Sequence, residues 1–322
     1  MTINLKDNFI TQNVSQITIY HNSKKKYELI NNKHPRLIET MSVTKSFLAL
    51  AILFLIQDKK IPGINSYISD YITEWKNDKR KTITIKDVLS MTSQLENNWD
   101  YDSFMFPEKD YRNVGKIKKP NVDRIARNMK YSNHKSAKDF EYNNLTTQII
   151  PSLVLRILNI QIDEFLKKVL FEPLNISIDW NSDDDKNPYG PNGLRISSNS
   201  LCKVGVLILN KGIYEGKKIL DTYLVDLFIK NNVENIESIR KADEVYNFRN
   251  LICVEGYGLL NWIFSSNKSR KIVIFMGYMG QMLIIDFDNK VVASKLNWCD
   301  YNSETLEERQ TYLEFIEHYL DY

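Results

Sequence analysis

The feature that most constrains this chain is an unbroken apolar run, Phe47 to Ile56, inside a segment that reads as a helix from Ser42 to about Gln57. A helix that is apolar on every side after its first turn has no face for water, so it must pass through the centre of a larger body. The run is ten residues long, well short of the roughly 20 needed to span a bilayer. Surrounding such a helix takes a large chain. The 322 residues present suffice, since a chain of this size buries about 75% of its unfolded surface. At roughly 150 residues per domain, two domains or one large one are allowed.

Charge and cysteine usage then remove whole classes. The 43 Lys+Arg and 40 Asp+Glu leave a net charge of only +3, and the charges are scattered, which is not the electrostatic footprint of a nucleic-acid binder. Cys202, Cys253 and Cys299 are odd in number and widely spaced, with no CxxC, so they read as free thiols of a reducing compartment. The first 20 residues lack the charged and apolar regions of a signal peptide, and no lipid-anchor motif is visible. The expectation is therefore a cytoplasmic protein with no membrane span.

Strand signals lie at both ends of the chain. Two short runs, 16–20 and 26–30, joined by His21-Asn22-Ser23, predict a hairpin; further strands are predicted at 258–264, 271–276, 282–286 and 290–296. Besides the 42–57 helix, helices are predicted at about 84–93, 143–158, 161–171, 198–211, 219–231 and 304–320. The stretch 96–141 reads as a long loop region, over a site or on the surface. Strands at both ends with helices between them predict an α+β fold. In it, one sheet is formed by the N- and C-terminal segments and packed by the terminal helices, with a helical lobe inserted. We place the sheet domain at 1–75 and 195–322 and the helical lobe at 76–194.

Chemically useful patterns are few. His21, His34, His134 and His318 show no metal-ligand spacing. Asp179-Trp180-Asn181-Ser182-Asp183 imitates the start of a calcium loop, but Asp184 stands where a glycine is needed and Gly190 where a bidentate Glu is needed. There is no GxxxxGK[ST], GxGxxG or GxSxG. What remains is S-x-x-K, which puts a serine and a lysine on one helix face within hydrogen-bond reach. A neutral lysine there can take the hydroxyl proton and make the oxygen nucleophilic. The pattern occurs at Ser23, Ser42, Ser132, Ser200, Ser238 and Ser265. Only Ser42 opens a buried helix, whose N-terminal amides can stabilise an oxyanion. Phe47, Leu48 and Leu50 would draw Lys45 inward, and burial disfavours the ammonium form. The competing local reading is an N-cap serine beside a lysine that reaches out to solvent.

The neighbourhood of that motif resembles the class C beta-lactamase-like serine hydrolases. This group includes penicillin-binding DD-peptidases, D-aminopeptidases, esterases and 6-aminohexanoate-oligomer hydrolases. Met41-Ser42-Val43-Thr44-Lys45-Ser46-Phe47 resembles the family's nucleophile box. The stretch from Gln57 to Trp75 is similar to its following helix end and turn, with Thr73 at the usual Pro. Ile83 to Ser93 resembles its next conserved segment, with Met91 at the usual His and Gln94 at the usual Gly.

The family's Tyr-x-Asn box has four candidates here, starting at Tyr20, Tyr111, Tyr131 and Tyr142. Tyr142-Asn143-Asn144 has the family's Phe two residues before the tyrosine and a helix directly after it, so it is chosen over Tyr131-Ser132-Asn133. Gly193 to Gly212 is similar to a further family helix, with Asn199-Ser200 at the frequent Arg-Asp. The third box, Lys/His-x-Gly, maps to Tyr278-Met279-Gly280, within Met276-Gly277-Tyr278-Met279-Gly280-Gln281.

The resemblance spans about residues 10 to 300 and implies a beta-lactamase/transpeptidase-like fold. It also implies acyl transfer through a covalent intermediate on Ser42. Lys45 and Tyr142 would share the proton transfers and Asn144 would orient substrate and lysine. Gly280 would line the pocket, Tyr278 would line it or assist proton transfer, and the backbone N–H groups of Ser42 and Gln281 would hold the oxyanion. No metal or organic cofactor is required. Tyr278 cannot hold a substrate carboxylate as a point charge, so the expected partner is a small ester, amide or short peptide, D-amino-acid-containing ones included. A beta-lactamase or DD-peptidase proper and a non-catalytic binding protein on the same fold are the alternatives. Trp99, Tyr101, Phe104 and Phe106 would shape the pocket or plug the core.

Overall fold

The structure, a computed structural model, describes residues 14–97, 121–132, 138–246, 252–266 and 270–298, with the backbone alone at 242–246, 252, 253 and 266. Its largest element is a seven-stranded antiparallel sheet. The hairpin β1 (Val14–His21) and β2 (Lys24–Ile30) forms as predicted. Its two-residue turn places Asn22 and Ser23 at positive φ, the backbone that matches the twist of paired strands. β1 then pairs with the last described strand, through Ile17 opposite Lys295 and Ile19 opposite Ala293. The two ends of the chain thereby close one sheet. Lys24, Lys25 and Lys26 are exposed on its outer strand, where charge discourages edge-to-edge association.

Three two- or three-residue strands, β3 (Ile38–Glu39), β4 (Asp179–Trp180) and β5 (Leu194–Ile196), make a small second sheet in the order β3-β5-β4. A third, two-stranded sheet joins β6 (Ile213–Tyr214) to β7 (Lys217–Lys218). The large sheet is completed by β8 (Ile252–Tyr257), β9 (Trp262–Ser266), β10 (Lys271–Met276), β11 (Met282–Asp286) and β12 (Val291–Asn297), in the order β2-β1-β12-β11-β10-β9-β8.

The strand predicted over 258–264 is corrected. Residues 258–261 form a turn in which Gly258 N–H bonds Asn261 O and Leu260 has φ 55°. The amides of Leu259 and Leu260 donate to Phe228 and Leu89 instead of to a neighbouring strand. Its apolar side chains imitate a strand because they plug the core, and β8 before it was not anticipated.

The apolar run forms α1 (Thr44–Gln57), in which every residue from Thr44 to Ile56 is buried. It ends where Lys59 takes the left-handed conformation and Lys60 N–H caps Leu55 O. Around it lie α2 (Ile85–Leu89), α3 (Val122–Asn128), α4 (Ile149–Leu158), α5 (Ile162–Leu166), α6 (Ser198–Leu209), α7 (Thr222–Phe228) and α8 (Ile236–Tyr246). α2 starts on a Thr84/Asp87 capping box and stops short of the predicted 93, because Met91 turns the chain at φ 60°. α3, capped by Asn121, falls in the stretch read as loop, and α8 was not anticipated. The predicted 304–320 helix lies outside the described residues.

Helix and sheet meet closely at Gly205 of α6. A Cβ there would stand 2.4 Å from Val292 Cγ1 and 3.2 Å from Leu283 Cδ1. The result is the α+β architecture expected, with α1 at its centre.

Candidate active site

β3 leads through Thr40 into a 3-10 turn, Met41–Val43, that runs straight into α1. Met41 sits at φ 50°, a left-handed conformation costing a non-glycine residue roughly 1–2 kcal/mol, and its neighbours hold it there. Thr40 N–H and Oγ1 both donate to Leu194 O, Leu194 N–H donates to Thr44 Oγ1, and Ser46 Oγ donates to Leu260 O. Ser42 thus stands inside a turn fixed from two sides, and the N-cap positions of the turn and of α1 are Thr40 and Val43. The N-cap alternative is thereby set aside.

Lys45 is 1% exposed, so it does not reach out to solvent. Its Nζ donates to Ser42 Oγ at 2.7 Å and to the backbone carbonyl of Pro191 at 2.8 Å, and lies 5.1 Å from the centre of the Tyr142 ring. Pro191 is placed by its neighbours. Gly190 N–H donates to Gln148 Oε1, and the Gly190 Cα lies so close to Thr147 that a Cβ would be 2.3 Å from the carbonyl oxygen. Two acceptors at fixed positions orient the amine toward the serine.

The Tyr142 ring stacks on Trp262, with centres 6.2 Å apart and planes 18° from parallel, and its carbonyl accepts from Asn97 Nδ2. The other described Tyr-x-Asn tyrosines are elsewhere. Tyr131 donates to Gln94 Oε1 and Tyr20 to Asn199 Oδ1, while Tyr111 lies outside the described residues. Asn143 is structural, with Nδ2 on Leu95 O and Oδ1 on Thr146 N–H. Asn144, beside it, has a buried Oδ1 with no hydrogen-bond partner among the described residues.

The third predicted box forms a short turn, Tyr278–Gly280, between β10 and β11. Met279 and Gly280 have φ 59° and 72°, and Gly277 N–H bonds Gln281 O. A Cβ on Gly277 would stand 2.4 Å from Thr40 O and 3.2 Å from Met41 Cβ, so this turn lies directly against the Ser42 turn. Tyr278 is exposed and Gly280 buried. Gln281 is buried, its carboxamide bound to Asn297 and its backbone carbonyl accepting from Gly277 N–H.

No group of described residues could hold a metal ion. In the calcium-like loop, Asp183 instead accepts from the amides of Val122, Asp185 and Asn187, which makes it a structural turn. Trp99, Tyr101, Phe104 and Phe106 lie outside the described residues.

A family model described as beta-lactamase matches residues 18–296. The chain belongs to the beta-lactamase family. This family member resembles a Bacillus anthracis protein described as a 6-aminohexanoate-dimer hydrolase, at 19% identity and TM-score 0.77, over 98% of this chain and 81% of that one. It also resembles a penicillin-binding protein homologue from Pyrococcus abyssi, at 16% identity and TM-score 0.70, over 95% and 73% of the two chains. A D-stereospecific amidohydrolase from Streptomyces sp. follows at 12% and 0.65, over 94% and 91%. At these identities the likeness is one of fold. No curated protein matches the sequence.

Pro191, Trp262 and Asn297 escaped the sequence reading. Pro191 acts through a backbone carbonyl, which carries no residue-type signal, although the Gly190-Pro191-Asn192-Gly193 cluster marks a turn. Trp262 and Asn297 look like ordinary strand residues until the fold brings them to the site.

Proposed function

We propose that this beta-lactamase family member is a serine hydrolase that cleaves a small ester or amide through a covalent acyl-enzyme on Ser42. The observation that carries the reading is the 2.7 Å contact between buried Lys45 Nζ and Ser42 Oγ, with Tyr142 beside it. The Ser42 oxygen attacks the carbonyl carbon while its proton passes to Lys45 or Tyr142. The carbonyl electron pair becomes an oxyanion facing the backbone N–H groups of Ser42 and Gln281. When the tetrahedral adduct collapses, the bond to the leaving group breaks and that group takes the proton. Water then attacks the ester on Ser42 by the reverse set of transfers and releases the acid.

Asn144 orients substrate and Lys45, and amides and short peptides, D-amino-acid ones included, stand beside esters as the substrate class. Tyr278 offers a phenol and no fixed cation, which supports neutral substrates over those held by a carboxylate. The test is a panel of p-nitrophenyl esters and D-amino-acid amides run beside Ser42→Ala. Turnover abolished by the substitution supports the reading, and turnover surviving it contradicts it. Nitrocefin hydrolysis faster than every ester would shift the assignment to a beta-lactamase proper.

A further inference from the structure

The registry of β11 and β12 ends with Met282 opposite Lys295. Continued by two residues, the ladder would set Gly280 opposite Asn297, but the backbone has turned away there into the left-handed pair Met279 and Gly280. A side chain fills the missing rung. Gln281 Oε1 accepts from Asn297 N–H at 2.9 Å, and Gln281 Nε2 donates to Asn297 O at 2.9 Å, so one carboxamide replaces the neighbouring peptide. Asn297 returns the contact through Nδ2, which donates to Met279 O at 2.9 Å. Both residues are buried, so water does not compete for these bonds.

We propose that the Asn297–Gln281 amide pair is the lock that fixes the 277–281 turn against the Ser42 turn, and that Asn297 is a positioning residue for acyl transfer. Three bonds hold Met279 and Gln281 in a conformation that two successive positive-φ residues would not keep unaided. At its other end the turn abuts Thr40 and Met41 through Gly277. With both ends held, the Gln281 backbone N–H keeps one position relative to Ser42. That is the condition for a donor to favour the oxyanion over the ground-state carbonyl. The catalytic clause rests on the serine-hydrolase reading; the lock itself does not.

The experiment uses the full chain with Asn297→Ala, Gln281→Ala and the double variant. Backbone hydrogen exchange of residues 277–281 is followed by mass spectrometry, and acylation by a p-nitrophenyl ester gives kcat and KM. Faster exchange confined to this turn, with kcat lower by about 10–100-fold and KM changed less than about twofold, is expected, the whole loss of one oxyanion donor being about 10²–10³. Asn297→Ala removes one of the three bonds and Gln281→Ala the other two, so the double variant, which removes all three, is expected to lose more than either single one.

Unchanged exchange in both single variants overturns the lock. Faster exchange with unchanged kcat overturns the positioning role. If wild type shows no turnover at all, the serine-hydrolase reading fails and the positioning role with it, while faster exchange in the variants still establishes the lock. Should Asn297→Ala not fold, Gln281→Ala decides by the same two readouts, since it removes two of the three bonds and leaves Asn297 in place.

Discussion

Lys45 Nζ and Ser42 Oγ lie 2.7 Å apart with the lysine buried, and its amine also donates to the Pro191 carbonyl. In the proposed mechanism neither shape nor charge alone can replace Lys45. Lys45→Met fills the volume without a lone pair, and Lys45→Arg brings a group that stays protonated. Both are expected to lower kcat by about 10²–10⁴. Lys45→Met should keep or raise the melting temperature, because it removes a buried amine. Ester kinetics and thermal denaturation check the pair of outcomes.

The two tyrosines make opposite predictions. Tyr142 stacks on Trp262 beside Lys45, whereas Tyr131 spends its hydroxyl on Gln94. Tyr142→Phe is expected to reduce kcat by about 10²–10⁴, and Tyr131→Phe to leave kcat within about twofold while costing roughly 1 kcal/mol of stability. The reverse pattern would place the proton-transfer role on Tyr131.

Glycine substitutions separate close approach from open space. At Gly190 a Cβ would meet backbone atoms of Thr147 and Gln148 at 2.3–2.9 Å, and backbone cannot swing aside as a side chain can. Gly190→Ala is expected to cost about 1–3 kcal/mol and to displace the Pro191 carbonyl from Lys45. At Gly63 nothing lies within 4 Å, and Gly63→Ala is expected to be neutral or stabilising by up to about 1 kcal/mol. Chemical denaturation of both variants measures the contrast.

Acid sensitivity is expected from Asp123. Burial pushes its carboxyl up, but hydrogen bonds from Arg156 and Ser152 and the Arg156 and Arg127 charges outweigh this and hold it below the ordinary 3.8. A lowered folded value means that stability is present above the unfolded value and is lost as pH falls through the folded one. Asp123→Asn should therefore be less stable than wild type near neutrality. The gap should narrow as pH falls below 3.8, as read by urea melts across that range.

Much of this was legible in the sequence, for physical reasons that differ by element. α1 could be read because a ten-residue apolar run has one possible place, and the β1–β2 hairpin because its turn residues tolerate positive φ. Ser42, on the 3-10 turn, and Lys45, in the first turn of the α1 that continues it, are three residues apart on a continuous helical path, so their contact follows from spacing. Tyr142 joins them only through tertiary structure, and its choice came from the resemblance. α3 was missed because Asn121 and a short amphipathic stretch are weak signals inside a polar region. The turn at 258–261 was misread because core-plugging Leu259 and Leu260 carry the same hydrophobicity as a strand. The Asn297–Gln281 pairing could not be read at all, since it joins an amide just before β11 to the last residue of β12.

Covalent acylation of Ser42 with Lys45 as its partner is tested by intact-mass measurement after incubation with a fluorophosphonate. A single adduct is expected that maps to Ser42, is absent in Ser42→Ala and forms far more slowly in Lys45→Met. A wild-type chain that stays unmodified, or an adduct that persists in Ser42→Ala, would contradict it.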